Sequence, residues 1–183
     1  MKWQISKAFE FSYGHRVWTQ KLNGEYSADL KSACRHLHGH EGKVLVYLTA
    51  DKLDNTGMIT DFRHLEWLKK WINENIDHQF IIDLNDPLYP RLVGNVPLVD
   101  VYVPNTDFIA GKKIDLTAID QSNLETYEMF EGFFVVDFVP TSENLSAWIS
   151  RIVDVKMKKL GVRVSQIDWH ETPKSMSSFV NIM

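Results

Sequence analysis

The sequence has a single cysteine, no excess of basic charge and no long apolar run. Cys34 is the only cysteine among 183 residues, so no internal disulfide can form, and a lone thiol is typical of a reducing compartment. Lys and Arg number 20 against 24 Asp and Glu, which gives no support to nucleic-acid binding. No apolar run approaches the roughly 18 residues that cross a bilayer. The start, MKWQISKAFEF, lacks the apolar block of a signal peptide. The sequence therefore predicts a cytoplasmic protein with no membrane or nucleic-acid partner.

The composition is that of an ordinary globular chain, and its length fits one domain over residues 1–183. Alternating apolar residues predict strands in WQISKAFEFSYGH and HGHEGKVLVYLTA, and further strands in the last 17 residues. Apolar spacing by threes and fours predicts a helix over 61–76 and a second one that begins near 141 and ends before Gly161. The expected buried stripes of the two helices are Phe62, Leu65, Leu68, Ile72 and Ile76, and Leu145, Trp148, Ile149, Ile152 and Leu160.

A proline-rich segment separates the two predicted helices. It spans about residues 85–138 and contains Pro87, Pro90, Pro97 and Pro104. Two short apolar stretches within it, VDVYV and FFVVDF, predict extra strands. The segment is therefore interpreted as an insertion into a simpler plan of two strands, two helices and two strands.

Three histidines are spaced so that strand alternation would bring their side chains to one face, as in a metal site. His38 and His40 form an H-x-H pair on a predicted strand, so both rings face one side, about 6–7 Å apart along the backbone. His15 ends the preceding strand with the same inward parity. Three imidazoles leave one tetrahedral position open, the pattern of a catalytic zinc. The alternative is a set of ordinary polar histidines near a loop. His36 has the opposite parity and is predicted to lie outside the ligand set.

Cys34 stands four residues before His38, and spacing alone leaves its role open. It could be a fourth metal ligand that closes the site. It could be a base or nucleophile, because a nearby cation favours the thiolate. It could also be an inert buried thiol, the commonest state of a single cysteine.

Six short motifs, taken in order, resemble the family of 6-pyruvoyltetrahydropterin and 6-carboxytetrahydropterin synthases. The motif C-x-x-x-H-G-H covers Cys34, His38 and His40, and FSYGH ends in His15. The others are GMITDF (57–62), IDHQF (76–80), PTSEN (140–144) and HET (170–172). The resemblance covers about residues 3–84 and 139–183.

The resemblance implies an α+β tunnelling-fold (T-fold) unit. In this fold a four-stranded antiparallel sheet carries two helices on one face, and the segment 85–138 would add strands to it. Protomers of the family join edge to edge into trimers that stack into hexamers, with active sites between subunits. Such a homo-oligomer also pairs the open edges that a lone four-stranded sheet would expose.

The resemblance also implies a role for each matching site residue. His15, His38 and His40 would hold Zn²⁺, and Cys34 would be the general base. Asp77 and His78 would be its partner pair, although a carboxylate and an imidazole at a helix end are also common without any catalytic role.

The same resemblance implies that three further residues bind the substrate. Glu171 would bind the amino and ring N–H groups of the pterin, two parallel donors that suit a carboxylate. The alternative is that Glu171 forms an ordinary salt bridge to a lysine or arginine. Thr141 and Ser142 would lie along the same pocket.

The spacing before the H-x-H pair bears on the reaction. Three residues separate Cys34 from His38, which resembles the branch that converts 7,8-dihydroneopterin triphosphate to 6-carboxytetrahydropterin with loss of acetaldehyde and triphosphate. The sister branch, which only eliminates triphosphate, typically has five. A noncatalytic pterin-binding protein and a structural zinc site of Cys34 with three histidines are the remaining alternatives.

Overall fold

An eight-stranded mixed sheet organises the structure, a computed structural model that describes residues 3–20 and 32–181. The strands are β1 (Trp3–His15), β2 (His38–Ala50), β3 (Gln79–Asp83), β4 (Leu98–Tyr102), β5 (Ile109–Ile114), β6 (Phe133–Val136), β7 (Arg163–Thr172) and β8 (Ser175–Val180). Their order in the sheet is β4-β5-β6-β3-β1-β2-β7-β8.

The helices are α1 (Glu66–Asn75), α2 (Tyr89–Leu92), α3 (Leu124–Glu131) and α4 (Ser142–Met157). Short 3-10 turns cover Ala33–Arg35, Phe62–Leu65, Leu116–Ala118 and Lys158–Leu160. Within the described ranges, none of the helices combines the length and apolar character needed to cross a membrane.

The α+β class is confirmed, but the sheet is twice as wide as the expected four antiparallel strands. Strands β1, β2, β7 and β8 form the antiparallel half. Strand β3 then pairs in parallel with the end of β1 at Tyr13 and Gly14, and with β6 along its length. Strands β5 and β4 continue the sheet in antiparallel fashion. The extra strands predicted in VDVYV and FFVVDF are present as β4 and β6. Local patterns could not reveal where these strands join the sheet, because the pairing partner of an apolar strand is fixed by long-range contacts.

Both long helices pack on one face of the sheet. A side-chain cap begins α4, and another begins the 3-10 turn Phe62–Leu65 that leads into α1. The Asp61 carboxylate accepts a hydrogen bond from the Arg63 N–H at 2.8 Å, and Thr141 Oγ1 accepts one from the Asn144 N–H at 3.3 Å. The two apolar stripes are buried except at one residue each. Phe62 and Leu160 are 47% and 52% exposed, contrary to expectation. Each lies in a 3-10 turn rather than in the α-helix, so the helical spacing does not apply to it.

The sheet separates two hydrophobic layers. The larger layer lies under α1 and α4 and contains Phe9, Phe11, Val44, Val46 and Trp169. The smaller one lies on the opposite face, where alternate residues of β6 point: Phe133 and Val135 belong to it, whereas Phe134 and Val136 belong to the larger layer. The segment between the two helices thus contributes strands to the sheet and a second apolar layer beneath it.

Candidate metal and ligand site

Two long paired strands bring three histidines to one point. Strands β1 and β2 pair along their full length, with His15 opposite His38 and Tyr13 opposite His40. The three imidazole centroids lie 4.6, 4.8 and 5.1 Å apart. One potential ligand atom from each histidine lies within 4.8 Å of the others. The three histidines therefore converge on one face of the sheet, as expected for alternate residues at the ends of neighbouring strands.

Backbone carbonyls hold two of these rings by their Nδ1 atoms. His15 Nδ1 lies 2.6 Å from the Pro140 carbonyl oxygen, and His38 Nδ1 lies 2.8 Å from that of His36. A carbonyl can only accept, so both Nδ1 atoms carry the proton in a neutral ring and Nε2 keeps its lone pair. Metal-binding histidines are held by the same kind of contact.

The electrostatics favour neutral imidazoles. Burial lowers the pKa of His15 to about 4, against the opposing effect of the Pro140 carbonyl. Burial, followed by the neighbouring His38, also lowers the pKa of His40. The Nε2 atoms of His15 and His40 are buried without a hydrogen-bond partner in the described part of the chain. Buried acceptors of this kind normally have a partner, so the donor set fits a cation that prefers nitrogen ligands.

Glu171 approaches the histidines from strand β7. Its Oε1 lies 3.3 Å from His15 Nε2 and 3.8 Å from His40 Nε2, at ion-pair distance but without hydrogen-bond alignment. Burial raises the pKa of the Glu171 carboxyl, with a smaller contribution in the same direction from Glu143 and an opposing one from His38. The Glu171 carboxylate thus faces the histidine nitrogens rather than a lysine or arginine.

Tyr13 forms the floor of the site. Its ring lies 5.1 Å from that of His15 and 5.7 Å from that of His40, and its hydroxyl accepts a hydrogen bond from Trp169 Nε1 at 3.0 Å. Gly42 makes this packing possible, because a Cβ there would lie 2.7 Å from the Phe11 ring and 2.9 Å from the Tyr13 ring. No pattern in the sequence indicates this contact of Tyr13 with the histidines.

Cys34 lies in the 3-10 turn Ala33–Arg35 and is half-buried. Its carbonyl accepts a hydrogen bond from the Val17 N–H at 2.7 Å. Among the residues that the structure describes, the cluster of potential ligand atoms consists of the three histidines and does not include the Cys34 sulfur. In this geometry the Cys34 thiol is not a fourth member of the ligand cluster.

Asp77 and His78 form a pair on the edge of β1. Asp77 Oδ1 lies 3.0 Å from His78 Nδ1 and accepts a hydrogen bond from the Ser12 N–H at 2.8 Å. The His78 N–H donates to the Ser12 carbonyl at 2.7 Å, and His78 has a φ of 58°. Its side chain is 81% exposed and is not part of the histidine cluster. The structure thus brings these two residues together outside the histidine cluster, and His78 lines an open pocket together with His38 and His40 of the same chain.

Thr141 and Ser142 follow Pro140, whose carbonyl holds His15. Thr141 caps α4, and the Ser142 hydroxyl donates to Glu143 Oε2 at 3.3 Å. The beginning of α4 therefore lies beside His15. The contribution of the Pro140 and His36 carbonyls has no signal in the sequence, because every residue has a carbonyl.

The fold and the site together define an α+β protein with a three-histidine cluster suited to a metal ion and a carboxylate beside it. The family model described as 6-pyruvoyl tetrahydropterin synthase matches residues 4–181. The chain belongs to this family, whose members act on pterins.

Three similar proteins show how far the likeness extends in sequence and in fold. The chain is 31% identical to the 6-carboxy-5,6,7,8-tetrahydropterin synthase of Aquifex aeolicus, over 98% of both proteins. It is 42% identical to an uncharacterized protein from Wolinella succinogenes, whose crystal structure matches all of this chain and 99% of that one with a TM-score of 0.89. The 6-pyruvoyl tetrahydropterin synthase of Plasmodium vivax is 14% identical, covers the same shares and has a TM-score of 0.57, so it shows the likeness of fold alone.

Proposed function

We propose that this protein is a zinc-dependent lyase that converts 7,8-dihydroneopterin triphosphate to 6-carboxy-5,6,7,8-tetrahydropterin, acetaldehyde and triphosphate, a step toward queuosine and related 7-deazaguanines. The observation that carries the proposal is the cluster of His15, His38 and His40 with their Nε2 atoms turned toward one point. The relative from Aquifex aeolicus is named 6-carboxy-5,6,7,8-tetrahydropterin synthase and is similar to this chain over nearly its whole length. This similarity supports the choice of reaction.

The three histidines would hold Zn²⁺ through Nε2. Three neutral nitrogen ligands leave a fourth position open, which suits a catalytic ion rather than a structural one. Bound Zn²⁺ would supply Lewis-acid chemistry at the hydroxyl and carbonyl oxygens of the substrate side chain. Tyr13 and the two backbone carbonyls hold the imidazoles in the orientation that this requires.

Cys34 would act as the general base that removes a proton from the substrate side chain. His78, oriented by Asp77 at 3.0 Å, would move the remaining protons. Because His78 is exposed on the β1 edge, we propose that the pair acts in an active site formed between subunits.

Glu171 would bind the amino and ring N–H groups of the pterin, with Thr141 and Ser142 along the same pocket. A half-buried carboxylate whose pKa is raised by burial gains a favourable partner when such donors approach it. Fixing the ring in this way would hold the reacting side chain near the histidines.

The proposed assembly follows the family. The chain would be one T-fold domain, residues 1–183, in which segment 85–138 is an insertion, and protomers would associate as trimers that stack into hexamers. The two outermost strands, β4 and β8, support this, because unpaired strand edges readily pair with another chain.

Incubation of the zinc-loaded protein with 7,8-dihydroneopterin triphosphate under anaerobic conditions tests the reaction. We expect acetaldehyde and a 6-carboxypterin, identified by mass spectrometry. A 6-pyruvoyl product would identify the sister reaction, and a complete lack of product would leave a noncatalytic pterin-binding protein as the better account.

A Cys34→Ala variant separates a base from a structural ligand. We expect it to retain zinc and its fold while turnover collapses. Loss of zinc together with loss of folding would instead support a structural site that includes Cys34.

A further inference from the structure

The segment Arg16–Trp18, which directly follows His15, is attached to the end of β3. Trp18 Nε1 donates a hydrogen bond to Asp83 Oδ2 at 2.7 Å. Arg16 Nε lies 3.1 Å from Asp86 Oδ2, at ion-pair distance although the two atoms are not aligned for a hydrogen bond. Both aspartates are only 2% exposed, so these contacts are made inside the protein.

Each carboxylate is also fixed by its second oxygen. Asp83 Oδ1 accepts hydrogen bonds from the Asn85 N–H at 2.9 Å and from its side-chain amide at 3.1 Å. Asp86 Oδ1 accepts one from the Leu88 N–H at 2.8 Å. A buried carboxylate is costly unless its oxygens are paired. With one oxygen held by the turn after β3, the other is directed at the Arg16–Trp18 segment.

The same segment holds the backbone of Cys34. The Val17 N–H donates to the Cys34 carbonyl at 2.7 Å, and Val17 lies between the two residues that contact the aspartates. A chain of contacts therefore leads from Asp83 and Asp86 through Arg16–Trp18 to Cys34. The Arg16–Trp18 segment directly follows His15, the buried member of the histidine cluster.

We infer that Asp83 and Asp86 are positioning residues that fix Cys34 relative to His15 by anchoring the Arg16–Trp18 segment. The end of β3 and the start of the segment between the helices thus serve the site as well as the sheet. The catalytic consequence rests on the proposed role of Cys34 as a base, whereas the anchoring itself does not.

Alkylation of the thiol tests the anchoring directly, because Cys34 is the only cysteine in the chain. In Asp83→Ala the Trp18 indole loses its acceptor, and we expect the rate of Cys34 labelling by iodoacetamide to rise roughly fivefold or more as the half-buried turn opens. Asp83→Asn keeps only one of the two acceptor oxygens and must turn its NH2 group toward either Trp18 or Asn85, so we expect an intermediate labelling rate.

Asp115→Ala is the matched control. Asp115 caps the 3-10 turn Leu116–Ala118 by accepting a hydrogen bond from the Thr117 N–H at 3.0 Å, so its loss removes a comparable carboxylate cap without touching Arg16–Trp18. We expect wild-type labelling of this variant. Equal labelling rates for Asp83→Ala and the wild type would overturn the inference.

If Asp83→Ala does not fold, Trp18→Phe tests the same contact from the other side, since it removes the donor and keeps a ring. Faster labelling with unchanged zinc affinity is expected, and unchanged labelling would overturn the inference. Turnover is a separate measurement. For Asp83→Ala and Trp18→Phe, kcat should fall and KM should stay near the wild-type value. Absence of turnover in the wild type would refute the proposed function, while the labelling rates would still decide the anchoring.

Discussion

At the scale of single residues, the direction of each imidazole determines what the site can bind. His15 and His38 donate their Nδ1 protons to backbone carbonyls, so their Nε2 lone pairs face the same point as His40. Contacts within the protein fix this orientation, and preorganised ligands lower the cost of binding a metal. The rings are therefore arranged as ligands rather than as exposed polar groups.

Removal of one imidazole should abolish tight metal binding. For His40→Ala we expect zinc affinity to fall by at least about 100-fold, because even residues that only orient a metal ligand contribute 10- to 100-fold. Titration calorimetry of the metal-free protein with Zn²⁺ measures this. His64→Ala is the control, since His64 bonds to Thr60 at 2.6 Å outside the cluster. Unchanged affinity in His40→Ala would contradict the assigned ligand set.

Protonation of His15 should destabilise the metal-free protein in mild acid. Burial lowers the pKa of His15 from 6.5 to about 4, so the unfolded chain binds the proton more readily than the folded one between these values. The corresponding stability is complete above pH 6.5 and is lost as pH falls to about 4, by up to roughly 3 kcal/mol.

Urea unfolding with a chelator present measures this effect as a difference between the wild type and His15→Gln. The free energy of unfolding of the wild type should fall more steeply between pH 6.5 and 4 than that of the variant. Parallel curves would show that His15 is not held neutral by burial.

At the scale of elements, α4 joins the inserted strands to the antiparallel half of the sheet. Trp148 Nε1 on α4 donates a hydrogen bond to the Ala110 carbonyl on β5 at 2.7 Å. The neighbouring Trp71 on α1, whose ring lies 5.7 Å from that of Trp148, has a buried Nε1 without a hydrogen-bond partner among the described residues. The two indoles share an environment and differ in this one hydrogen bond.

Replacement of each indole by phenylalanine should separate packing from hydrogen bonding. Trp148→Phe leaves the Ala110 carbonyl without its donor, and we expect it to cost about 1–3 kcal/mol more than Trp71→Phe in the free energy of unfolding. Urea denaturation of both variants provides the comparison. Equal losses would mean that ring volume alone determines the cost.

Much of the element structure could be predicted from local patterns, and the exceptions have physical reasons. Alternation identifies β1 and β2, Thr141 caps α4, and Asp61 caps the 3-10 turn that leads into α1. Phe62 and Leu160 deviate because 3-10 turns change the spacing at those ends. Strand β5 was not predicted, because IAGKKI lacks a clear apolar alternation and is stabilised by its pairing with β4 and β6.

At the scale of the whole molecule, the sheet ends in two edge strands, β4 and β8. Strand β8 exposes Met176 and Val180, which are 58% and 54% exposed, and β4 exposes Val99 and Tyr102 at the other end. Apolar side chains on an edge strand favour pairing with another chain, whereas charges oppose it. These edges are where the proposed assembly would form.

Lysine on the β8 edge should weaken that assembly. We expect wild-type protein to sediment as a multiple of three 21.3 kDa chains and the double variant Met176→Lys/Val180→Lys to give smaller species at the same concentration. Leu160→Lys is the control, since Leu160 is 52% exposed in a turn after α4 rather than on a strand edge. A monomeric wild type would contradict the proposed trimer-based assembly.

The sequence by itself determined which residues alternate, where helices begin and which histidines share a face, because these properties depend on neighbours within a few positions. Only the tertiary structure decided that Glu171 faces His15, 156 positions earlier in the chain, and that Asp83 holds Trp18. It also decided that the sheet has eight strands. Such contacts depend on which distant elements pair and pack, and local periodicity carries no record of that choice.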